Sequence, residues 1–218
     1  MSNILICVPT LDRVDASHYS SMLALRYDSR HQYSRYVVSN SLTYNARNAF
    51  ANAAISHGFD LVIMIDADMV LDPETVNQLV TDIEESGADL VTGLYFKRRH
   101  PAEPVILSWL DWYEHEKLGP QEIAETYEDY PRGEMFDIAG CGMGCCIMHT
   151  QLLKDVTIAY KYAPFTPLPR LSEDYAFCFR AKQIGATLMC DSRILPKHAG
   201  LKLYGEEDWL KHKEGEHA

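Results

Sequence analysis

A short apolar run that ends in two aspartates constrains this chain most. Residues 61–65, Leu-Val-Ile-Met-Ile, lead without a polar interruption into Asp66, Ala67 and Asp68. The run predicts a buried strand, because nothing polar marks a solvent-facing side. Two carboxylates at the carboxyl end of such a strand suit a hard divalent cation that also holds a diphosphate. A turn with solvated aspartates is the alternative, since aspartate also favours turns.

Strand and helix patterns alternate over the first 95 residues. Proline at the first helical position after Asp72 marks one helix start, and Thr43 is a candidate cap for another. Strands are predicted at residues 4–8, 33–38, 61–65 and 89–94, and helices at residues 16–27, 43–57 and 72–85.

This alternation predicts an α/β fold with a Rossmann-like, mostly parallel sheet flanked by helices in a single domain. Ligands of such sheets bind beyond the carboxyl ends of the strands. Residues 9–13, 39–43 and 66–69 are therefore expected to meet at one edge.

The second half is less regular. Residues 109–130 are acidic and aromatic, and we expect a partly helical excursion there. The glycines of residues 140–144 would allow a ligand to approach the backbone closely. Ser172 opens a predicted helix that ends near residue 184, and a last strand is predicted at residues 187–190.

Composition excludes several classes of protein. The formal net charge of −11 over 218 residues argues against a nucleic-acid-binding surface. No apolar run approaches the roughly 20 residues that a membrane span needs. Six cysteines match no usual zinc spacing, and we expect them to be buried, reduced thiols in a cytoplasmic protein.

Three further groups of residues could carry chemistry. Glu173 and Asp174 follow Ser172 at a helix start, where acids favour the helix dipole but could also accept a proton from a hydroxyl. His198 follows the last strand, and an imidazole beside a carboxylate suits Mn²⁺ better than Mg²⁺. The basic residues 97–100 form either a solvated loop or a clamp for phosphates or an anionic acceptor.

Taken together, these residues resemble a GT-A fold glycosyltransferase, similar to the large family that includes cellulose and chitin synthases. The order and spacing of the motifs carry the resemblance over nearly the whole chain, although the family's Gln-x-x-Arg-Trp motif is absent. The matching segments are Val8-Pro9-Thr10, the Ala-Arg-Asn helix of residues 44–49, the Asp-x-Asp of residues 65–68, the Glu-Asp helix of residues 172–180, and His198.

The resemblance implies a small metal-dependent transferase that uses a UDP- or GDP-sugar. Its domain would span residues 1–205, with a nucleotide-sugar half at residues 1–95, an acceptor half at residues 96–205 and a polar tail at residues 206–218. The implied roles are metal ligation by Asp66, Asp68 and His198 around Mn²⁺ or Mg²⁺, donor contacts by Thr10, Asp12, Arg13, Arg47 and Asp66, and catalysis by Asp174 as base with Glu173 beside it.

Other assignments stay open. A nucleotidyltransferase shares this kind of sheet and metal use, and a catalytically inactive nucleotide-binding protein would keep the same motifs. Inverting and retaining outcomes are both compatible with the sequence. A saccharide or other small hydroxyl-bearing acceptor is expected, bordered by the basic loop, Trp109, Trp112 and the 140–144 glycine segment.

Overall fold

A computed structural model describes residues 1–200 and 203–214 of the chain. The strands in this part are β1 (Asn3–Pro9), β2 (Gln32–Val38), β3 (Leu61–Ile65), β4 (Met69–Val70), β5 (Leu90–Gly93), β6 (Ile106–His115), β7 (Gly119–Thr126), β8 (Met135–Asp137), β9 (Gly140–Cys141), β10 (Cys145–His149), β11 (Leu188–Asp191), β12 (Lys197–Ala199) and β13 (Leu203–Tyr204).

Helices cover both faces of the main sheet. The described residues form six of them: α1 (Ala16–Ala24), α2 (Thr43–His57), α3 (Thr75–Ser86), α4 (Thr150–Tyr160), α5 (Glu173–Gln183) and α6 (Glu206–Lys213). The longest, α2, has 15 residues, and none of these described helices is long and apolar enough to cross a bilayer.

The seven-stranded central sheet has the order β2-β1-β3-β10-β5-β11-β8. β1 pairs in parallel with both β2 and β3, and β5 pairs in parallel with β11, whereas β10 and β8 run in the opposite direction. Every residue of β3 is buried, as its unbroken apolar sequence predicts. The prediction of a mixed α/β fold with a mostly parallel sheet is confirmed.

Two expected helix caps differ from the structure. Thr43 is the first residue of α2, and Leu42 occupies the cap position without a side-chain hydrogen bond. The cap of α3 is Glu74, whose N–H donates to the Asp72 carboxylate at 3.1 Å. Asp72 therefore stabilises the turn before the helix, where a short polar side chain bonds the backbone two residues on.

The expected helical excursion at residues 109–130 is wrong. The segment forms the antiparallel hairpin β6–β7, which joins β9 in a separate three-stranded sheet. Alternate residues of β6 point to opposite faces, so the half-buried Trp112 packs against Phe179 while Trp109 is 55% exposed. An exposed aromatic residue on the outer face hides the alternation by which a strand is identified in sequence.

The polar segment after Gly205 includes α6, whose Trp209 is buried against the main core. Residues 215–218 of the expected tail lie outside the described residues. All six cysteines are buried and free, as expected for thiols that serve as small apolar side chains.

Candidate active site at the carboxyl edge of the sheet

A cavity of about 700 Å³ opens where β1 and β3 end. All three sequence segments expected at this edge reach it, because the carboxyl ends of parallel strands lie together. Its lining includes residues 9–16 from the loop after β1, Ser41 and Thr43 from the segment after β2, residues 66–68 from the turn after β3, Arg98, and residues 198–200.

The small sheet of β4, β12 and β13 brings His198 to this cavity. His198 lies opposite Met69 in the pairing of β12 with β4, and the N–H of Ala199 donates to the Asp68 carbonyl at 2.7 Å. The Nε2 of His198 is 3.4 Å from Oδ1 of Asp68. Two residues 130 positions apart in the sequence therefore face each other.

A backbone contact orients the His198 ring. Its Nδ1 is 2.9 Å from the carbonyl oxygen of Phe96. A carbonyl oxygen only accepts hydrogen bonds, so Nδ1 carries the proton and a neutral ring keeps its lone pair on Nε2, facing Asp68. The edge of Tyr95 also packs on the ring, with centroids 5.8 Å apart.

Asp68 and His198 have the chemistry of a cation site. Oδ1 of Asp68 is buried without a hydrogen-bond partner in the described part of the chain, and 3.4 Å is close to the separation of about 3 Å expected for adjacent ligands of one octahedral cation. Burial opposes ionisation of Asp68, but His198 in its charged form and the Arg98 guanidinium outweigh burial and lower the pKa of Asp68.

The Asp66 carboxylate is bound by Arg47. Both of its carboxylate oxygens accept hydrogen bonds from Nη2 of Arg47, and no group of three or more His, Cys, Asp or Glu side chains among the described residues is arranged around a common metal position. Burial raises the pKa of Asp66, and Arg47 opposes that shift. A cation held by Asp68 and His198 would take its other ligands from water and phosphate oxygens, as small divalent cations usually do.

Arg47 lies behind the cavity wall. It is only 3% exposed, and its Nε is 3.7 Å from Oε1 of Glu173. In this structure Arg47 contacts two carboxylates, and its contact with the donor stays a prediction. Its sequence signal, an arginine on an otherwise small and apolar helix face, indicates burial as well as ligand binding.

Glu173 and Asp174 lie at the start of α5, close behind the cavity lining. Asp174 accepts hydrogen bonds from the Ser172 hydroxyl and from the N–H of Tyr175, the latter at 2.8 Å. Burial raises the pKa of Glu173, with Arg47 opposing the shift and Asp174 adding to it. Asp174 also contributes to the raised pKa of Asp66, so the two acidic motifs act on each other.

The loop after β1 supplies the remaining predicted donor residues. Thr10 donates through its hydroxyl to the Arg13 carbonyl at 2.7 Å, which closes the loop into a turn. The Asp12 and Arg13 side chains are strongly exposed and 3.5 Å apart. All three residues line the cavity, and both charged side chains are free to reach a ligand.

The basic segment of residues 97–100 divides in two. Lys97 and Arg99 both bond to Glu103, with Lys97 at 2.8 Å. Arg98 instead reaches the cavity, where Nη1 is 2.8 Å from Oδ2 of Asp68. Sequence reasoning left this segment as a solvated loop or as a clamp for phosphates or an anionic acceptor, and it did not predict the contact between Arg98 and Asp68.

The glycine segment does not reach the cavity. A Cβ on Gly142 would lie 2.2 Å from the hydroxyl oxygen of Tyr95, and the N–H of Gly144 donates to that oxygen at 2.9 Å. These glycines make room for Tyr95, which in turn packs against His198. The expected close approach of a ligand to residues 140–144 is therefore replaced by a close approach of Tyr95, a residue that sequence reasoning missed.

Comparisons with known proteins identify similar folds but no family. No family model matches the chain, and no curated protein matches it. Protein A197 from STIV has a similar structure, with a TM-score of 0.62 and 14% identity over 92% of this chain and 86% of that one. S. aureus TarS 1-349 is also similar, with a TM-score of 0.54 and 16% identity over 88% of this chain.

The chain spans 58% of the TarS structure. At these identities the likeness concerns the fold alone. The chain therefore shares its overall fold with these two structures.

Proposed function

We propose that this protein is a metal-dependent glycosyltransferase of GT-A type, which moves a sugar from a nucleoside-diphosphate sugar to a hydroxyl-bearing acceptor such as a saccharide. One observation carries the proposal. Asp68 and His198 face each other at the mouth of a cavity at the carboxyl edge of the sheet, and the Phe96 carbonyl directs the metal-binding nitrogen of His198 toward Asp68.

Asp68 and His198 would hold Mn²⁺ or Mg²⁺. When bound, the cation supplies positive charge that stabilises the departing diphosphate. Asp66, fixed by Arg47, would contact the ribose or the metal. Thr10, Asp12 and Arg13 lie on a loop that lines the same cavity and would contact the base and ribose.

Asp174 would accept the proton of the acceptor hydroxyl in an inverting reaction. Its two hydrogen bonds at the start of α5 fix the orientation of the carboxylate. Glu173 and Asp66 both contact Arg47, so Glu173 would hold the start of α5 in a fixed position relative to Asp66. In a retaining reaction the same carboxylates would position the sugar, and NMR of the product anomer distinguishes the two outcomes.

Calorimetric titration of UDP and GDP with and without Mn²⁺ tests the proposal. We expect Mn²⁺ to strengthen binding, and Asp68→Asn or His198→Gln to weaken the Mn²⁺-dependent part about tenfold or more. Asp155→Asn, an exposed change on α4, is the matched control. Binding of equal strength without metal, or normal Mn²⁺-dependent binding by Asp68→Asn, would overturn the assignment.

Incubation with nucleotide sugars tests the reaction class. Release of UDP or GDP that depends on Asp68 supports a transferase. Pyrophosphate formed with a nucleoside triphosphate would instead indicate a nucleotidyltransferase. Binding without either reaction would indicate a catalytically inactive nucleotide-binding protein.

A further inference from the structure

Arg98 contacts the Asp68 carboxylate, for which a bound cation would compete. Its Nη1 lies 2.8 Å from Oδ2 of Asp68 and 3.5 Å from the carbonyl oxygen of Ala199. The other oxygen of the same carboxylate faces His198. A guanidinium is thus seated on the carboxylate that the proposed function assigns to the metal.

A guanidinium and a divalent cation on one carboxylate repel each other. At a separation of about 4 Å, like charges near a protein surface cost several kcal/mol in an environment of intermediate polarity. Arg98 is about half exposed and lies on the cavity wall, so its side chain has room to leave Asp68 without unfolding anything. Cation binding would therefore displace it into the cavity.

The neighbouring basic residues are not available in this way. Lys97 and Arg99 are both held by Glu103, and neither belongs to the cavity lining. Arg98 is the member of this segment that the cavity receives. Guanidinium groups bind phosphate through paired N–H donors, so a diphosphate is the anionic group that suits a displaced Arg98.

We propose that Arg98 is a diphosphate-binding residue that occupies Asp68 in the free protein and exchanges it for the diphosphate when a divalent cation binds. This inference rests on the proposed function, because it takes the cation and diphosphate from it. It adds that, in the protein without bound metal, the Arg98 guanidinium occupies the Asp68 carboxylate. Metal and diphosphate are then expected to bind cooperatively, since the metal frees Arg98 for the phosphate.

The exchange predicts effects of opposite sign in a single variant. Arg98→Ala removes the competitor of the metal, so Mn²⁺ alone should bind the nucleotide-free protein a few-fold more tightly, as measured by electron paramagnetic resonance of free Mn²⁺. With Mn²⁺ saturating, inorganic pyrophosphate and UDP or GDP should bind the same variant about tenfold or more weakly, because a charge-assisted contact is lost. Pyrophosphate makes the measurement independent of the base.

Arg99→Ala is the matched control, since it removes the same charge one residue away and should change neither affinity. Arg98→Lys keeps the charge without the paired donors and should give intermediate diphosphate affinity. If Arg98→Ala weakens Mn²⁺ and pyrophosphate binding together, Arg98 supports the site structurally and the exchange is wrong. Unchanged pyrophosphate affinity in Arg98→Ala overturns it as well.

The parent protein separates this failure from failure of the proposed function. In one outcome the parent binds Mn²⁺ and diphosphate while Arg98→Ala behaves as Arg99→Ala does. That result overturns only the role of Arg98. A parent that binds neither Mn²⁺ nor any diphosphate overturns the proposed function, and the exchange with it.

Discussion

Arg47 donates hydrogen bonds to both carboxylate oxygens of Asp66, at 3.0 and 3.2 Å, behind the wall of the cavity. The same guanidinium lies 3.7 Å from Glu173. Burial disfavours its charge, but Asp66, Asp174 and Glu173 more than offset burial and raise the pKa of Arg47. One permanently charged, buried side chain therefore joins the edge of β3 to the start of α5.

Removing Arg47 should destabilise the protein and weaken nucleotide binding. Arg47→Ala leaves Asp66 and Glu173 buried without their shared cation, and breaking a buried pair in this way costs about 3–5 kcal/mol. Urea unfolding measures the loss. Arg26→Ala is the control, because Arg26 pairs with Glu74 at the surface, where a pair contributes about 1 kcal/mol or less. Equal losses in the two variants would show that the buried contact has no special weight.

The Asp66–Arg47 contact shows what a sequence alone can yield. The apolar run of residues 61–65 predicted the buried strand and its position at the ligand edge. A run without polar residues is typical of a strand that is buried on both faces. The partner of Asp66 was not predictable in the same way. Arg47 reaches it from α2, 19 residues earlier, and that contact depends on how α2 packs on the sheet.

Asp174 and Glu173 should separate in their effects. Asp174→Asn keeps the size of the side chain and should retain Mn²⁺-dependent nucleotide affinity while slowing sugar transfer about 10²–10⁴-fold, the usual range for loss of a general base. Glu173→Gln weakens the contact with Arg47 and should lower the free energy of unfolding more than Asp174→Asn does. Transfer rates and urea midpoints of both variants provide the check. Transfer at the parent rate by Asp174→Asn would leave Asp174 with a helix-start role only.

Two tryptophans on β6 should differ sharply in their contribution to stability. Trp112 donates through Nε1 to the Pro169 carbonyl at 3.0 Å and packs edge-on against Phe179. Trp112→Ala should cost about 3 kcal/mol, because a packed aromatic side chain and a hydrogen bond are both lost. Trp109→Ala, on the exposed face of the same strand, should cost about 0.5 kcal/mol or less.

Thermal and urea unfolding of the two tryptophan variants measure this difference. A similar loss in both would mean that the outer face of the hairpin is covered by another part of a larger assembly. If Trp109→Ala leaves stability unchanged but lowers transfer to a saccharide, the expectation that Trp109 borders the acceptor is supported.

The missed hairpin and the missed contact between Arg98 and Asp68 have one physical origin. Local pattern identifies a segment's preferred structure, but the position of β6–β7 and the reach of Arg98 depend on neighbours far away in the chain. β10 illustrates this most directly, since the mostly apolar residues 145–149 enter the sheet between β3 and β5 against the direction of both. Nothing in residues 145–149 specifies those two neighbours.

A buried carboxyl pair outside the cavity should make stability depend on pH. Asp82 and Asp191 are both buried and share Arg193, with contacts of 3.2 and 2.9 Å. Burial, and then a hydrogen bond with the Asp191 carboxyl, raise the pKa of Asp82 to about 7. Burial opposes ionisation of Asp191 too, but the hydrogen bonds of Arg193 and Asp82 lower the pKa of Asp191.

The raised pKa fixes the sign of the effect. An unfolded aspartate titrates near about 4, so the stabilisation from protonated Asp82 is complete below about pH 4 and is lost as pH rises to about 7. Asp191 has the opposite sign and acts below about pH 4. Between about pH 4 and pH 7 the parent should therefore lose about 2–4 kcal/mol through Asp82.

Asp82→Asn imitates the protonated carboxyl and should remove this loss. Its amide oxygen can still accept from Gln78 and Arg193, as Oδ1 of Asp82 does. Urea unfolding at about pH 4.5, 6 and 7.5 should then show a smaller fall in stability than in the parent, and at about pH 7.5 the variant should be the more stable of the two. Asp155→Asn, at an exposed position on α4, should follow the parent. If the Asp82→Asn curve runs parallel to the parent curve, Asp82 is already ionised in the folded protein and its raised pKa is wrong.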